Sequence, residues 1–204
     1  MTSLKREIAA FLVLSGSLVI ALPATAGAVE MRVTRDALQR TLKQQLFAGA
    51  DGRYYLKGTP QSACSTWVED PQLSFAQDRI VVRVKTHARM GKAVGGTCIG
   101  LPPLSVTAQV SMAPDAEAET IGFRAAHLDK VSARSELNFL LSPFLSHQVP
   151  SSMKVNAADI LRKALADSTA TSGYKVSLDR LKIHSILIDG DSLVVDLDGD
   201  LSVK

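Results

Sequence analysis

The sequence is poor in aromatic rings, net charge, cysteine and catalytic motifs, and each shortage removes a class of function. Phenylalanine, tryptophan and tyrosine make up 5% of 204 residues, too few for the stacking platforms that hold single-stranded nucleic acid. A net charge of +3 is too small for a strong polyanion binder. No apolar stretch is long enough to span a bilayer. After residue 28 there is no phosphate-binding glycine loop, no GxSxG elbow, no HExxH and no CxxC. The local signatures of nucleotide, serine-hydrolase, zinc-peptidase and dithiol chemistry are therefore missing. His87, His127, His147 and His184 are scattered singly, so the reading is non-enzymatic, with no metal or other cofactor expected. A hydrolase whose site assembles only in space stays open as a third alternative.

What is present begins with an address. Lys5 and Arg6 precede an apolar run from Ile8 to Leu22, Pro23 breaks it, and small residues follow through Ala28. That order predicts a secretory signal over residues 1–28, cleaved near Ala26 or Ala28, and a periplasmic location. No cysteine lies there to carry a lipid anchor. Losing Lys5, Arg6 and Glu7 lowers the net charge from +3 to +2. Export makes Cys64 and Cys98, the only two cysteines, candidates for one disulfide. Closing a loop of that length is worth about 4 kcal/mol in the chain-entropy picture. A metal pair or free thiols are the competing readings, without CxxC spacing in their favour.

Residues 29–204 read as one α+β domain. Leu38, Leu42 and Leu46 predict a helix over 33–47, with Thr34 as cap. Alternation predicts strands over 54–57, 66–68, 73–75, 80–90, 104–112 and 121–131. Glycines between Gly91 and Gly100 predict a loop, and Pro114 to Glu117 a turn. Helices are expected over 135–145, interrupted at Pro143, and over 156–166, capped by Asn156. Asp189-Gly190-Asp191 marks a final hairpin. In it Leu193, Val195 and Leu197 share a face that Leu201 and Val203 continue past Gly199.

Two charged groups stand out. Asp196, Asp198 and Asp200 share one strand face, without the offsets of a calcium loop. Arg79, Arg83, Lys85, His87, Arg89 and Lys92 form a basic stripe. It reads as the water-facing side of an edge or outer strand. Contact of Arg83, Lys85 and Arg89 with an anionic membrane surface is the alternative. The two groups also offer each other partners. Nucleic acid is not expected as a partner.

The dominant feature is aliphatic surface on long strands and one-sided helices. The helix over 33–47, the strands over 80–90 and 104–112, the helix over 156–166 and the ending Leu187 to Val195 together resemble small bacterial periplasmic proteins of the tubular lipid-binding (TULIP-like) superfamily. The resemblance implies a strongly curved antiparallel sheet wrapped around a long N-terminal helix, with a further C-terminal helix and hairpin. It also implies an apolar tube that binds or carries a lipid or other hydrophobic molecule. On that reading Leu38, Leu42, Val82, Val84, Val106, Val110 and Phe123 line the tube, and Leu161 and Leu165 close one end. Some relatives carry an anchor cysteine that this chain lacks. The alternative is an envelope protein–protein interaction module with a filled core.

Overall fold

The computed structural model describes residues 28–130, 135–173 and 175–203. The predicted leader, up to residue 27, therefore lies outside the described residues. At Ala28 a strand that periodicity does not mark, β1 (Ala28–Thr34), is already under way. It runs directly into α1 (Arg35–Leu46). The Thr34 hydroxyl accepts a hydrogen bond from the Ala37 N–H at 3.3 Å and so caps the helix. Its leucine spacing turns Leu38 and Leu42 inward. With 12 residues α1 is about 18 Å long, so the first helix is short and Val33 belongs to the strand before it.

The main sheet is built from β2 (Tyr54–Lys57), β3 (Thr66–Ala76), β4 (Arg79–Ala88), β7 (Leu104–Glu117), β8 (Thr120–Lys130) and β9 (Val155–Asn156). They lie in that order, each antiparallel to the next. The sheet curls into a half-barrel. Register shifts between Glu69 and Gln72 in β3 and at two places along β7 and β8 add local twist, as bulges do. The first lets β3 pass through Asp70-Pro71, where two separate strands are predicted. Asp70 takes a φ of 53° there, a conformation that aspartate tolerates better than most residues. β7 likewise continues through Pro114, and the turn falls at Ala118 and Glu119, after the predicted one.

Between β4 and β7 the predicted loop is a small ribbon of its own, β5 (Gly91–Val94) and β6 (Thr97–Gly100). Gly95 and Gly96 turn it with φ of 53° and 79°, the positive angles a tight hairpin needs. Cys98 in β6 is bonded to Cys64 before β3, which bears out the predicted disulfide.

The hollow of the half-barrel is occupied by the chain itself. α2 (Ser135–Pro143) ends at Pro143, a wider π-helical turn follows (Phe144–Gln148), and α3 (Val149–Ser152) completes the segment. Proline cannot continue the donor ladder, and serine hydroxyls take up carbonyls at the irregularity. Ser146 donates to Ser142 O at 2.6 Å and Ser152 to Gln148 O at 2.7 Å. Leu137, Leu141, Phe144, Leu145, Val149 and Met153 from this segment join Leu38 and Leu42 against Val82, Val84 and Val110.

A second sheet has the order β1, β11 (Ser192–Val203), β10 (Val176–Asp189). It packs under α4 (Ala157–Ser172), which runs six residues beyond the predicted helix end at Ala166. This gives a separate aliphatic cluster around Ala157, Ala158, Leu193, Val195 and Leu197. Among the described residues no helix is long and apolar enough to cross a membrane.

Candidate functional site

The site begins with α4. Asn156 Oδ1 accepts the Asp159 N–H at 3.0 Å and fixes where the helix starts. Arg162 reaches both carboxylate oxygens of Glu119 at 3.3 Å, holding this end to the β7–β8 turn. Ala157 and Ala158 are fully buried, and Leu161 and Leu165 follow at helical spacing over β10 and β11.

β10 meets them irregularly. Leu178 and Leu181 are three residues apart and both buried, which a regular strand forbids. The pairing explains it: Leu178 is opposite Leu201 and Arg180 opposite Asp200, so Asp179 is an extra residue. A second shift between Ile183 and Ser185 changes the inward parity again. β11 keeps its parity, so Leu197, Gly199 and Leu201 succeed one another on one face. Gly199 has no side chain to fill the space below α4; a Cβ there would stand 3.3 Å from Leu178 Cδ1.

The result is a cavity of about 180 Å³ between α4 and the second sheet. Leu161 and Leu165 roof it, Leu178, Leu181 and Leu197 form its floor, and Val29 and Leu201 stand at its exposed rim. Every lining residue is aliphatic or glycine. Such a wall favours removal of methylene groups from water and supplies no general acid, base or metal ligand.

The expected ligand-binding residues thus divide. Leu161 and Leu165 reach this cavity. Leu38, Leu42, Val82, Val84 and Val110 are 1% exposed or less and belong to the core cluster that the helical segment completes; Phe123 and Val106 pack in or against the same cluster. Leu178 and Leu181 escape a reading by alternation because the extra residue Asp179 leaves β10 no regular period; Leu197 lies on the face that alternation marks in β11, but alternation does not show the space that Gly199 leaves beside it.

Arg79, Arg83, Lys85 and His87 of the basic stripe lie on the outer face of β4, a strand with neighbours on both sides, not an edge; Arg89 follows the end of β4 and Lys92 lies in β5. Arg79 donates to Ser111 O and Ala125 O at 3.0 and 2.6 Å, stitching β4 to β8 across β7. Arg83 donates to Gln109 Oε1 at 3.4 Å, and Lys85 pairs with Asp70 at 2.8 Å. His87 Nε2 stands 3.0 Å from Glu69 Oε1 without hydrogen-bond geometry. It stacks on Trp67, over whose ring Arg53 and Arg89 also lie. The acidic face pairs locally instead of with this stripe: Asp198 with His184 and Asp200 with Arg180. Among the described residues no three potential ligands cluster to hold a metal ion.

Comparison of the chain with protein-family models, with curated proteins and with solved structures found no match.

Proposed function

We propose that this protein is an exported, periplasmic binding or carrier protein for a lipid or other hydrophobic small molecule. The observation that carries the reading is the aliphatic cavity under α4, which includes Leu161 and Leu165. In this reading the curled sheet encloses helices as the tubular family does. The segment from α2 to α3, and not a long first helix, fills the tube, so the ligand moves to the α4 side.

The size of the cavity narrows the ligand. At about 180 Å³ it is smaller than the roughly 300–1,000 Å³ of drug-sized sites. It matches the dry cavity of about 150 Å³ that takes benzene. One end of a single acyl chain fits such a space, with the remainder lying along Val29 and Leu201. Each methylene buried contributes about 0.8 kcal/mol.

Native mass spectrometry of the protein purified without detergent, beside a solvent extract, tests this. The expected result is a stoichiometric lipid adduct that Leu161→Trp, which fills the cavity with its own ring, abolishes while remaining folded. A clean apo mass that takes up no fatty acid or phospholipid would overturn it. The packed half-barrel, with Val82 and Val84 fully buried in its core, would then favour the interaction module with a filled core.

A further inference from the structure

The ribbon β5–β6 serves neither the core nor the cavity, and its two faces differ. Residues opposite one another in an antiparallel pair share a face. Ala93 pairs with Cys98, and Cys98 is bonded to Cys64, so that face is tied toward the body of the domain. Lys92 pairs with Ile99 and Val94 with Thr97, so these four share the face turned away from it. Val94 is 50% exposed and Ile99 59%. Large aliphatic side chains grouped on a projecting ribbon mark an interaction surface.

Charge says what kind. Between Asp78 and Asp115 the chain carries Arg79, Arg83, Lys85, Arg89 and Lys92 and no carboxylate. The first three are engaged on the sheet. Arg89, exposed between β4 and the ribbon, lies over the Trp67 ring, whereas Lys92, exposed on the ribbon itself, forms no ion pair among the described residues. Gly91 and Gly100 face each other at its base, where a Cβ on Gly91 would fall 2.2 Å from Ile99 O. Side chains larger than hydrogen would push the two strands apart there.

We infer that the β5–β6 ribbon docks the protein on an anionic lipid surface. Val94 and Ile99 enter the apolar boundary of the bilayer, and Lys92, on the same face, meets the headgroup phosphates. Aliphatic tips beside an exposed lysine, in a stretch of chain without a carboxylate, complement a negatively charged interface. The disulfide orients the ribbon by fixing which face turns outward. This surface is distinct from the α4 cavity and does not depend on it.

Co-sedimentation of the purified full chain, as its cells produce it, with vesicles of phosphatidylcholine alone or mixed with phosphatidylglycerol tests the inference. Wild type is expected to sediment with the mixed vesicles, less so as salt is raised, and to stay in solution with phosphatidylcholine alone. Lys92→Ala should weaken binding about fivefold, the effect of one cation at such a surface. Ile99→Ser should weaken it about tenfold or more, as loss of one buried aliphatic side chain requires. Both positions are exposed, so the variants keep the fold, and Leu161→Trp should bind vesicles as wild type does. Equal sedimentation of wild type and a Val94→Ser/Ile99→Ser variant, or no sedimentation of wild type, would overturn the inference. So would a variant that changes only the mass of the vesicle-free protein, since the ribbon would then bind a second copy of the chain.

Discussion

Glu69 holds together the outer face of β3 and β4. Its Oε2 accepts from Arg53 Nε at 2.9 Å and from Trp67 Nε1 at 3.1 Å. Burial alone raises its pKa, but the bonds from Arg53 and Trp67 and the charges of His87 and Arg53 outweigh it, and the carboxyl lies below its usual range. Asp70 is also lowered, chiefly by the hydrogen bond from Lys85. A carboxylate depressed in the folded state adds stability above its unfolded pKa of about 4, and loses it as pH falls through the lower folded value. Glu69→Gln should therefore destabilise the protein near neutrality, and its difference from wild type should shrink as pH drops below about 4. Denaturant titrations at several pH values check this; a difference that grows in acid would contradict it. The residue scale was also the least legible in sequence. Arg79 reads as one more member of a basic stripe, and only the approach of β8 turns it into a stitch between strands. Gly199 reads as a pause in alternation, and only α4 above it turns that pause into a cavity.

At the scale of elements, the amphipathic pieces were visible because their periodicity is local. The strand β4, the helix α1 and the terminal hairpin lie close to where alternation, leucine spacing and Asp189-Gly190-Asp191 put them. Misreadings occurred where a strand is irregular or lacks a period. β3 crosses Asp70-Pro71 through a bulge, β7 runs on through Pro114, and β5–β6 is too short and glycine-rich to alternate. α4 lies where its cap predicts, and the cap has a consequence for the cavity it roofs. Asn156→Ala should cost about 1 kcal/mol and quicken amide hydrogen exchange across the first turns of α4, with the main sheet unchanged. Unchanged exchange in α4 would mean that the Arg162–Glu119 contact alone holds the helix.

For the molecule as a whole, the two apolar clusters behave differently toward a ligand. The half-barrel core is closed by its own helices, whereas the second cluster keeps space under α4. A ligand that binds only the folded state raises stability by about 2.7 kcal/mol at a hundredfold excess over Kd. Fatty acid at such an excess should therefore raise the Tm of wild type and leave Leu161→Trp unshifted in a thermal melt. An equal shift in both would place the ligand elsewhere.

The sequence by itself determined the antiparallel, aliphatic character of the domain, the cysteine pair and which face of most elements turns inward. Each of these depends on spacing within a few residues, or on a two-cysteine count that leaves one pairing. The tertiary structure alone decided what those inward faces meet. Leu38, Val84, Val110 and Leu161 have the same chemistry in sequence. Three of them are packed against side chains from distant parts of the chain, and the fourth is left over a glycine and a bulged strand. Apolar surface is drawn to any apolar neighbour without regard to direction, so only long-range packing separates a core from a binding wall.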